Sequence, residues 1–594
     1  MIKKLQNSSF VKVLACAFAC LPIIFLFYLL NLFGLNFPYG WDDFLVMNVI
    51  LDFENASSFF DKIKIMFSPH NEHNIAYVHF ITWLIYKVGG SINFRTMMFI
   101  GNLGLVIWAL HHIYVIYQKE KKLWWALPVT FLIFQVQLEA NFYWGMSSLQ
   151  NHSVLAWVSL AIYFSAIADK RSTYFWFLFF GLLATFTSAG GMPSLMVGII
   201  ILIYRRHYKW AIGAISVLVP CILLYQYNYK QYFASESFTG NALLHPLGQF
   251  LSIFIVFGDI VDLRQYVSVR DIVFGFIIFT WAIYGLILLI LPQNWYQKLI
   301  KNPFLGFILK PYDSIQKDKK LNLFYAGCLC FVIMTTLLIA VRRFYMHNWV
   351  DAVLGIPLLS ARYHFHSIMA VLSIYGLFIG CFRQRSKIIF SSLFLGLGLF
   401  TNIFSFFHLT NNIYTHHQML RADYTNITKN DFSIMGYGKN WFYPAAQKSL
   451  NRAKTQKIYD VTAPIKNLNT PIEKNGSMFG ISSITYSGSE LAITSDTLNL
   501  NFWDPDKTLF VEIYTPTQTV RLPVTPNLNS KKNIILGKIY RNGFAVTIPK
   551  YLLDTQQTYK IRVLDYSAVK SCFYNTSAEF NIEKQYFSTN YRNH

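Results

Sequence analysis

Charge is what this chain has least of. Only 13% of its 594 residues are Asp, Glu, Lys or Arg, about half of the roughly 25% found in soluble globular chains. Cysteine is scarce too. Six of the seven cysteines, Cys16, Cys20, Cys221, Cys328, Cys330 and Cys381, lie in or beside apolar segments. Cys572 alone falls in the polar C-terminal part, so that part has no internal disulfide. No cysteine spacing reads as a metal or redox motif. Internal repeats and long low-complexity tracts are missing as well. The basic N-terminus, Met1 to Lys12, resembles a signal peptide. The apolar run from Val11 to Phe33 is too long for the usual hydrophobic region and lacks a small-residue cleavage site, so it reads as a retained first span.

What fills the gap is apolar and aromatic. Hydrophobic residues make up 54% of the chain and aromatic residues 18%. The apolar residues gather in repeated stretches, most of them about 17–25 residues long and so able to cross a bilayer. The net charge is 51 − 29 = +22. On a soluble chain that excess would suggest nucleic acid. Here the basic residues sit in short clusters between apolar segments and report membrane topology.

Spans are expected near 11–33, 93–117, 123–138, 152–168, 173–188, 192–204, 210–227, 271–292, 322–341, 366–382 and 388–408, eleven in all. Segments 76–89 and 246–263 are apolar but short or interrupted, and read as interfacial or re-entrant. With the N-terminus inside, the inside connections carry Lys119, Lys121 and Lys122, then Lys170 and Arg171, then Arg205, Arg206 and Lys209, then 293–321, then Arg383, Arg385 and Lys387. Every one is basic, as the positive-inside tendency requires. The outside face then carries 34–92, 139–151, 189–191, 228–270, 342–365 and everything after 409.

After 409 the long apolar runs stop. Strand-like segments such as Leu509–Tyr514 and Tyr559–Leu564 appear, punctuated by Asn, Asp, Pro and Gly. That is the pattern of an antiparallel β-sandwich. The expected fold is a multi-pass α-helical membrane protein, N-in and C-out. It divides into a multispan module 1–408, a connecting segment 409–455 and a β-rich domain 456–594.

The outside face holds the chemistry. Trp41-Asp42-Asp43-Phe44 follows the first span. Either carboxylate can act as a general base, and either suits the start of a helix over 44–51. His70-Asn71-Glu72-His73 follows Pro69. His70, Glu72 and His73 can orient a phosphate or sugar, or form a structural turn. The spacing matches neither H-E-x-x-H nor H-x-x-E-H, so no metal is assigned. Glu139-Ala140-Asn141-Phe142-Tyr143-Trp144-Gly145 lies where the third span reaches the outside. Polar Glu139 and Asn141 beside Trp144 suit carbohydrate, and an aromatic belt explains the same residues. Arg342, Arg343 and Arg362-Tyr363-His364 run against the positive-inside trend. Guanidinium binds phosphate through two bonds, and contact with anionic headgroups is the plainer reading. Asp259, Asp262 and Arg264 interrupt or flank an apolar segment; they can line a cavity or form salt bridges on a surface loop, and the latter is the plainer reading.

In its acidic pair in the first external loop, Asp42-Asp43, the chain resembles the GT-C superfamily of membrane glycosyltransferases. The His-Asn-Glu-His run and Glu-x-Asn-x-x-Trp-Gly are similar to patterns in bacterial O-antigen-modifying members. Asn74 stands where those members often have Arg. The resemblance implies sugar transfer from a polyprenyl phosphate carrier to an envelope glycan such as lipopolysaccharide O-antigen, with inversion and without metal or cofactor. It implies Asp42 or Asp43 as base, Arg362 on the departing phosphate with Arg342 or Arg343 beside it, and Tyr363 near the sugar. It also implies a bacterial inner-membrane location with a periplasmic C-terminal domain, served by a carrier-sugar synthase and a flippase. An oligosaccharide ligase using a pyrophosphate carrier and a lipid or glycan transporter are the alternatives. A transporter predicts polar residues at mid-membrane depth and inverted repeats, whereas here the acids cluster on one face.

Overall fold

The computed structural model describes residues 9–70, 73–232, 246–262, 269–343, 363–429, 433–435, 442–460, 472–473, 481–487, 490–496, 500–505, 508–549, 553–554, 556–566, 572–581 and 586–589. These fall into two compact units interleaved along the chain. The first takes 1–27, 59–80 and 98–408; the second takes 28–58, 81–97 and 409–594. The second unit thus gathers the acidic loop, part of the next two helices and the whole C-terminal region, where the sequence suggested a simple boundary near 408.

Among the described residues, seven helices are long and apolar enough to cross a membrane: Val13–Phe33, Phe94–Glu120, Tyr208–Tyr227, Val269–Ile290, Lys319–Ala340, His364–Cys381 and Gln384–Thr428. Leu123–Ile133 and Val136–Phe142 form one further pair bent by 43°. The sequence reading has eleven spans. The difference lies mainly in the middle of the chain, where the helices are Ser153–Ala166, Arg171–Thr185 and Pro193–Tyr204, of 14, 15 and 12 residues. At about 1.5 Å per residue, none of these alone covers a hydrocarbon core of about 30 Å. Ser153–Ala166 continues N-terminally through a π-helical turn, Ser148–His152, and a short helix, Gly145–Ser147. The apolar run therefore marks only the regular part of a longer helical stretch.

Helices Pro246–Gly258 and Val269–Ile290 touch backbone to backbone. A Cβ on Gly258 would fall 1.8 Å from Asp271 O, and one on Gly275 would fall 1.7 Å from Phe254 O. Small residues at such a crossing are what membrane helices use to pack closely.

The C-terminal region of the second unit is β-rich. One sheet runs β12 (Tyr586–Thr589), β11 (Cys572–Asn581), β10 (Thr558–Tyr566), β6 (Thr508–Tyr514), β7 (Thr519–Pro523). A short β3 (Ile472–Glu473) pairs in parallel with β11. The other sheet runs β4 (Ser483–Ser487), β5 (Glu490–Ser495), β9 (Tyr540–Pro549), β8 (Thr525–Leu528), antiparallel throughout. Leu509 to Ile513 of β6 are all buried, so both faces of that strand are covered. Phe510 and Leu564 pack with Ala422, near the end of helix Gln384–Lys429, and with Ile434 beyond it. Glu512, fully buried, faces Arg521 on β7 and Arg562 on β10, with Arg521 Nε 2.7 Å away.

Candidate functional site

The acidic pair opens helix Gly40–Asn55 of the second unit. Gly40 has φ +61°, a conformation that favours glycine, and it turns the chain from the loop into the helix. Tyr39, in extended conformation, gives no side-chain cap. Its backbone N–H donates instead to Asp43 Oδ2 at 2.9 Å. Asp43 is fully buried, while Asp42 beside it is half-buried. Consecutive helical residues lie about 100° apart, so the two carboxylates face different surroundings. The helix-start reading of the sequence thus fits Asp43, and Asp42 is the member with solvent access.

Partners distant in sequence fix this corner. Phe94 N–H donates to Asn36 Oδ1 at 2.8 Å, and Tyr459 Oη donates to Asn36 O at 2.6 Å. Ile92 N–H donates to Ile458 O at 2.7 Å. Trp41 packs on Phe44 and meets the edge of Phe442, with ring centres 6.1 and 6.0 Å apart. The Tyr39 ring meets His416 edge-on at 4.5 Å. His417 Nδ1 lies 2.8 Å from Phe33 O. Sequence reasoning missed His416, His417, Phe442 and Tyr459. The one local signal was the adjacent His pair in a polar stretch directly after an apolar run.

That stretch belongs to helix Gln384–Lys429, 46 residues long and apolar only as far as about His408. A hydrocarbon core takes about 20 helical residues, so the last turns extend beyond it. There Asp423 is fully buried; it accepts from Ile434 N–H at 2.6 Å and from Ser433 Oγ at 2.8 Å. Burial pushes its carboxyl up to about 7, against the pull of these hydrogen bonds.

The remaining expected residues sit in the first unit. His70 and His73 face each other across a minimal hairpin, β1 (Pro69–His70) and β2 (His73–Asn74). Glu72 lies outside the described residues. His70 is buried and His73 half-buried. Tyr225 Oη sits 2.7 Å from Thr185 O and 3.2 Å from Asn74 O, tying the hairpin to two helices. Among the described residues, no group of three or more His, Cys, Asp or Glu is placed to hold a metal ion.

Glu139, Asn141 and Trp144 lie where the bent pair ends. Asn141 Oδ1 accepts from Ser147 Oγ at 2.7 Å and from Asn151 Nδ2 at 3.0 Å. Asn102 Nδ2 donates to Phe142 O at 3.0 Å, and His152 Nδ1 lies 2.7 Å from Asn102 Oδ1. These bonds satisfy backbone and side chains where the helix is broken, as buried polar groups require. Asn141 Oδ1 is therefore spent on shaping this turn. Glu139 and Trp144 are each 9% exposed at its edge.

Tyr363, half-buried, precedes helix His364–Phe378. Arg342 and Arg343 end helix Lys319–Arg343, and their side chains lie outside the described residues, as does Arg362. The structure thus gathers Asp42 and Asp43 in one unit, and His70, His73, Glu139, Asn141, Trp144 and Tyr363 in the other. Comparison with protein-family models, with curated proteins and with solved structures finds no match to this chain.

Proposed function

We propose that this protein is a membrane-embedded glycosyltransferase that moves a sugar from a polyprenyl phosphate carrier to an envelope glycan, with Asp42 as general base. The observation that carries the reading is the division of labour in the acidic pair. Asp43 is buried and bonded to the Tyr39 N–H, and Asp42 stands half-buried beside it on the first turn of the same helix. A base must reach the proton it removes, and Asp42 is the more exposed of the two carboxylates.

In the proposed reaction Asp42 accepts the proton of an acceptor hydroxyl. The oxygen forms a bond to the anomeric carbon while the bond from that carbon to the carrier phosphate breaks, and polyprenyl phosphate departs. Attack opposite the leaving group inverts the anomeric centre. Arg362, with Arg342 or Arg343, is assigned to the charge that develops on the phosphate. The β-rich region is assigned to presenting the acceptor on the periplasmic side of a bacterial inner membrane.

The test offers the purified protein a radiolabelled sugar on polyprenyl monophosphate, and separately a glycan on polyprenyl pyrophosphate, each with and without chelator. Transfer from the monophosphate carrier that persists in chelator is expected. Transfer only from the pyrophosphate carrier, abolished by chelator, would make the protein a ligase instead.

A further inference from the structure

The short helix Phe59–Met66 belongs to the first unit, and none of its eight residues is buried. Five of the eight are nonetheless apolar. At about 100° per residue, Phe59, Ile63, Phe67 and Phe60 fall in that order within one arc of about 100°. Phe67 stays on the same spiral because its N–H donates to Ile63 O at 3.0 Å. The four side chains are 72%, 42%, 36% and 81% exposed. A second side of the helix, with Lys62, Ile65 and Met66, is half-buried. A third, with Asp61 and Lys64, is polar and exposed. The helix therefore has one side for the protein, one for water and one that is apolar and open, with Lys62 and Lys64 flanking the apolar arc.

What adjoins the open side identifies its partner. The Phe67 ring meets Phe186 edge-on, with ring centres 5.2 Å apart. Phe186 caps helix Arg171–Thr185. It lies seven and eleven residues after Phe179 and Phe175, which puts all three on one face of that helix. Phe175, Trp176 and Phe179 are exposed, as side chains of an apolar helix facing lipid are. Phe186 stands at the end away from the basic Lys170 and Arg171. The junction is fastened: Tyr77 N–H donates to Phe186 O at 3.0 Å, and His79 Nδ1 lies 2.9 Å from Met66 O. The apolar surface of helix Arg171–Thr185 thus continues at its end onto the short helix. A second copy of the chain fits this surface poorly. Three partly exposed phenylalanines, of about 150–250 Å² each when whole, and one isoleucine fall short of the roughly 800 Å² that each partner in a stable protein interface buries.

We infer that helix Phe59–Met66 is an interfacial helix whose partner is the surface of a phospholipid bilayer. Phe59, Phe60, Ile63 and Phe67 enter the boundary between headgroups and acyl chains. Lys62 and Lys64 lay their apolar stems along it and reach headgroup phosphates with their ammonium groups. Asp61 faces water. The inference rests on membrane residence alone and does not require the glycosyl-transfer reading.

The experiment places the photoreactive residue p-benzoylphenylalanine singly at Phe60, Ile63, Asp61 or Phe179 of the full chain. Each protein is reconstituted in nanodiscs of phosphatidylethanolamine and phosphatidylglycerol, irradiated and digested, and lipid adducts are read by mass spectrometry. All three positions on the short helix are exposed, so the substitutions leave the fold in place. Adduct yields at 60 and 63 are expected to approach the yield at 179, and the adduct is expected to be lost at 61. Yields at 60 and 63 no higher than at 61 would overturn the inference. So would crosslinks from 60 or 63 to another segment of the chain, which would make the apolar side a protein contact, or to a second copy, which would make it an interface between copies.

Discussion

Removing the Asp43 carboxylate tests whether it holds the start of its helix or does the chemistry. The side chain is fully buried and accepts the Tyr39 N–H at 2.9 Å, at the positive end of a 16-residue helix. Asp43→Asn keeps an acceptor and loses the charge. The charge–dipole contribution in such a partly enclosed place is about 1–2 kcal/mol. Asp43→Ala also leaves the Tyr39 N–H without its acceptor, so the cost rises to about 2–3 kcal/mol. At roughly 2–4 °C per kcal/mol for a unit of this size, Asn should lower the melting temperature by about 2–8 °C and Ala by about 4–12 °C. Asp42→Asn should melt with the wild type, since a half-exposed carboxylate contributes little to stability. The assay is thermal unfolding in detergent, followed by tryptophan fluorescence. An Asp43→Ala protein that melts with wild type would show that this carboxylate does not hold the helix, and the assignment of roles within the pair would collapse.

Other outcomes follow from the packing. Glu512→Ala leaves the Arg521 and Arg562 guanidinium groups facing each other without their buried carboxylate, and should cost about 3–5 kcal/mol; limited proteolysis of the C-terminal region reads this directly. Gly275→Ala places a Cβ 1.7 Å from Phe254 O, so helices Pro246–Gly258 and Val269–Ile290 must separate; a lower yield of monodisperse protein in detergent is expected. Asp423 has its folded value raised from 3.8 to about 7, so the folded state holds the extra proton. Its contribution to stability is complete below the unfolded value and is lost as pH rises through about 7. Asp423→Asn should flatten that part of the decline in a melting-temperature profile against pH, and an unchanged slope would count against a buried protonated acid.

The membrane helices were legible in the sequence because hydrocarbon demands a continuous apolar run, and Phe94–Glu120, Val269–Ile290 and Lys319–Ala340 follow those runs closely. The broken regions were not. Segment 123–138 reads as one span, yet it forms two helices bent by 43°. The buried Asn102, Asn141 and Ser147 that accompany such breaks carry no period of their own. Strands β6 and β10 were legible from their apolar β-branched and aromatic content. Their pairing, Lys560 with Tyr514 through Tyr566 with Thr508, was not, because register is a long-range property. At the site, sequence placed Asp42 and Asp43 at a helix start but offered no means of separating them. The separation comes from burial and from the Tyr39 N–H bond to Asp43, in a corner that Tyr459 and Phe442, about 400 positions away, help to build. Asp259 was read with Asp262 and Arg264 as salt-bridge material, because nothing local points to His364, 105 residues on, whose Nδ1 lies 2.8 Å from Asp259 Oδ2.

The most direct test of the central claim is the rate of sugar transfer from a polyprenyl monophosphate donor by wild type, Asp42→Asn and Asp43→Asn, each normalised to its folded fraction. Loss of a general base is expected to lower kcat by about 10²–10⁴-fold in Asp42→Asn, while Asp43→Asn keeps most of its rate per folded molecule. Undiminished transfer by Asp42→Asn would contradict the account, whichever way the other variant behaves.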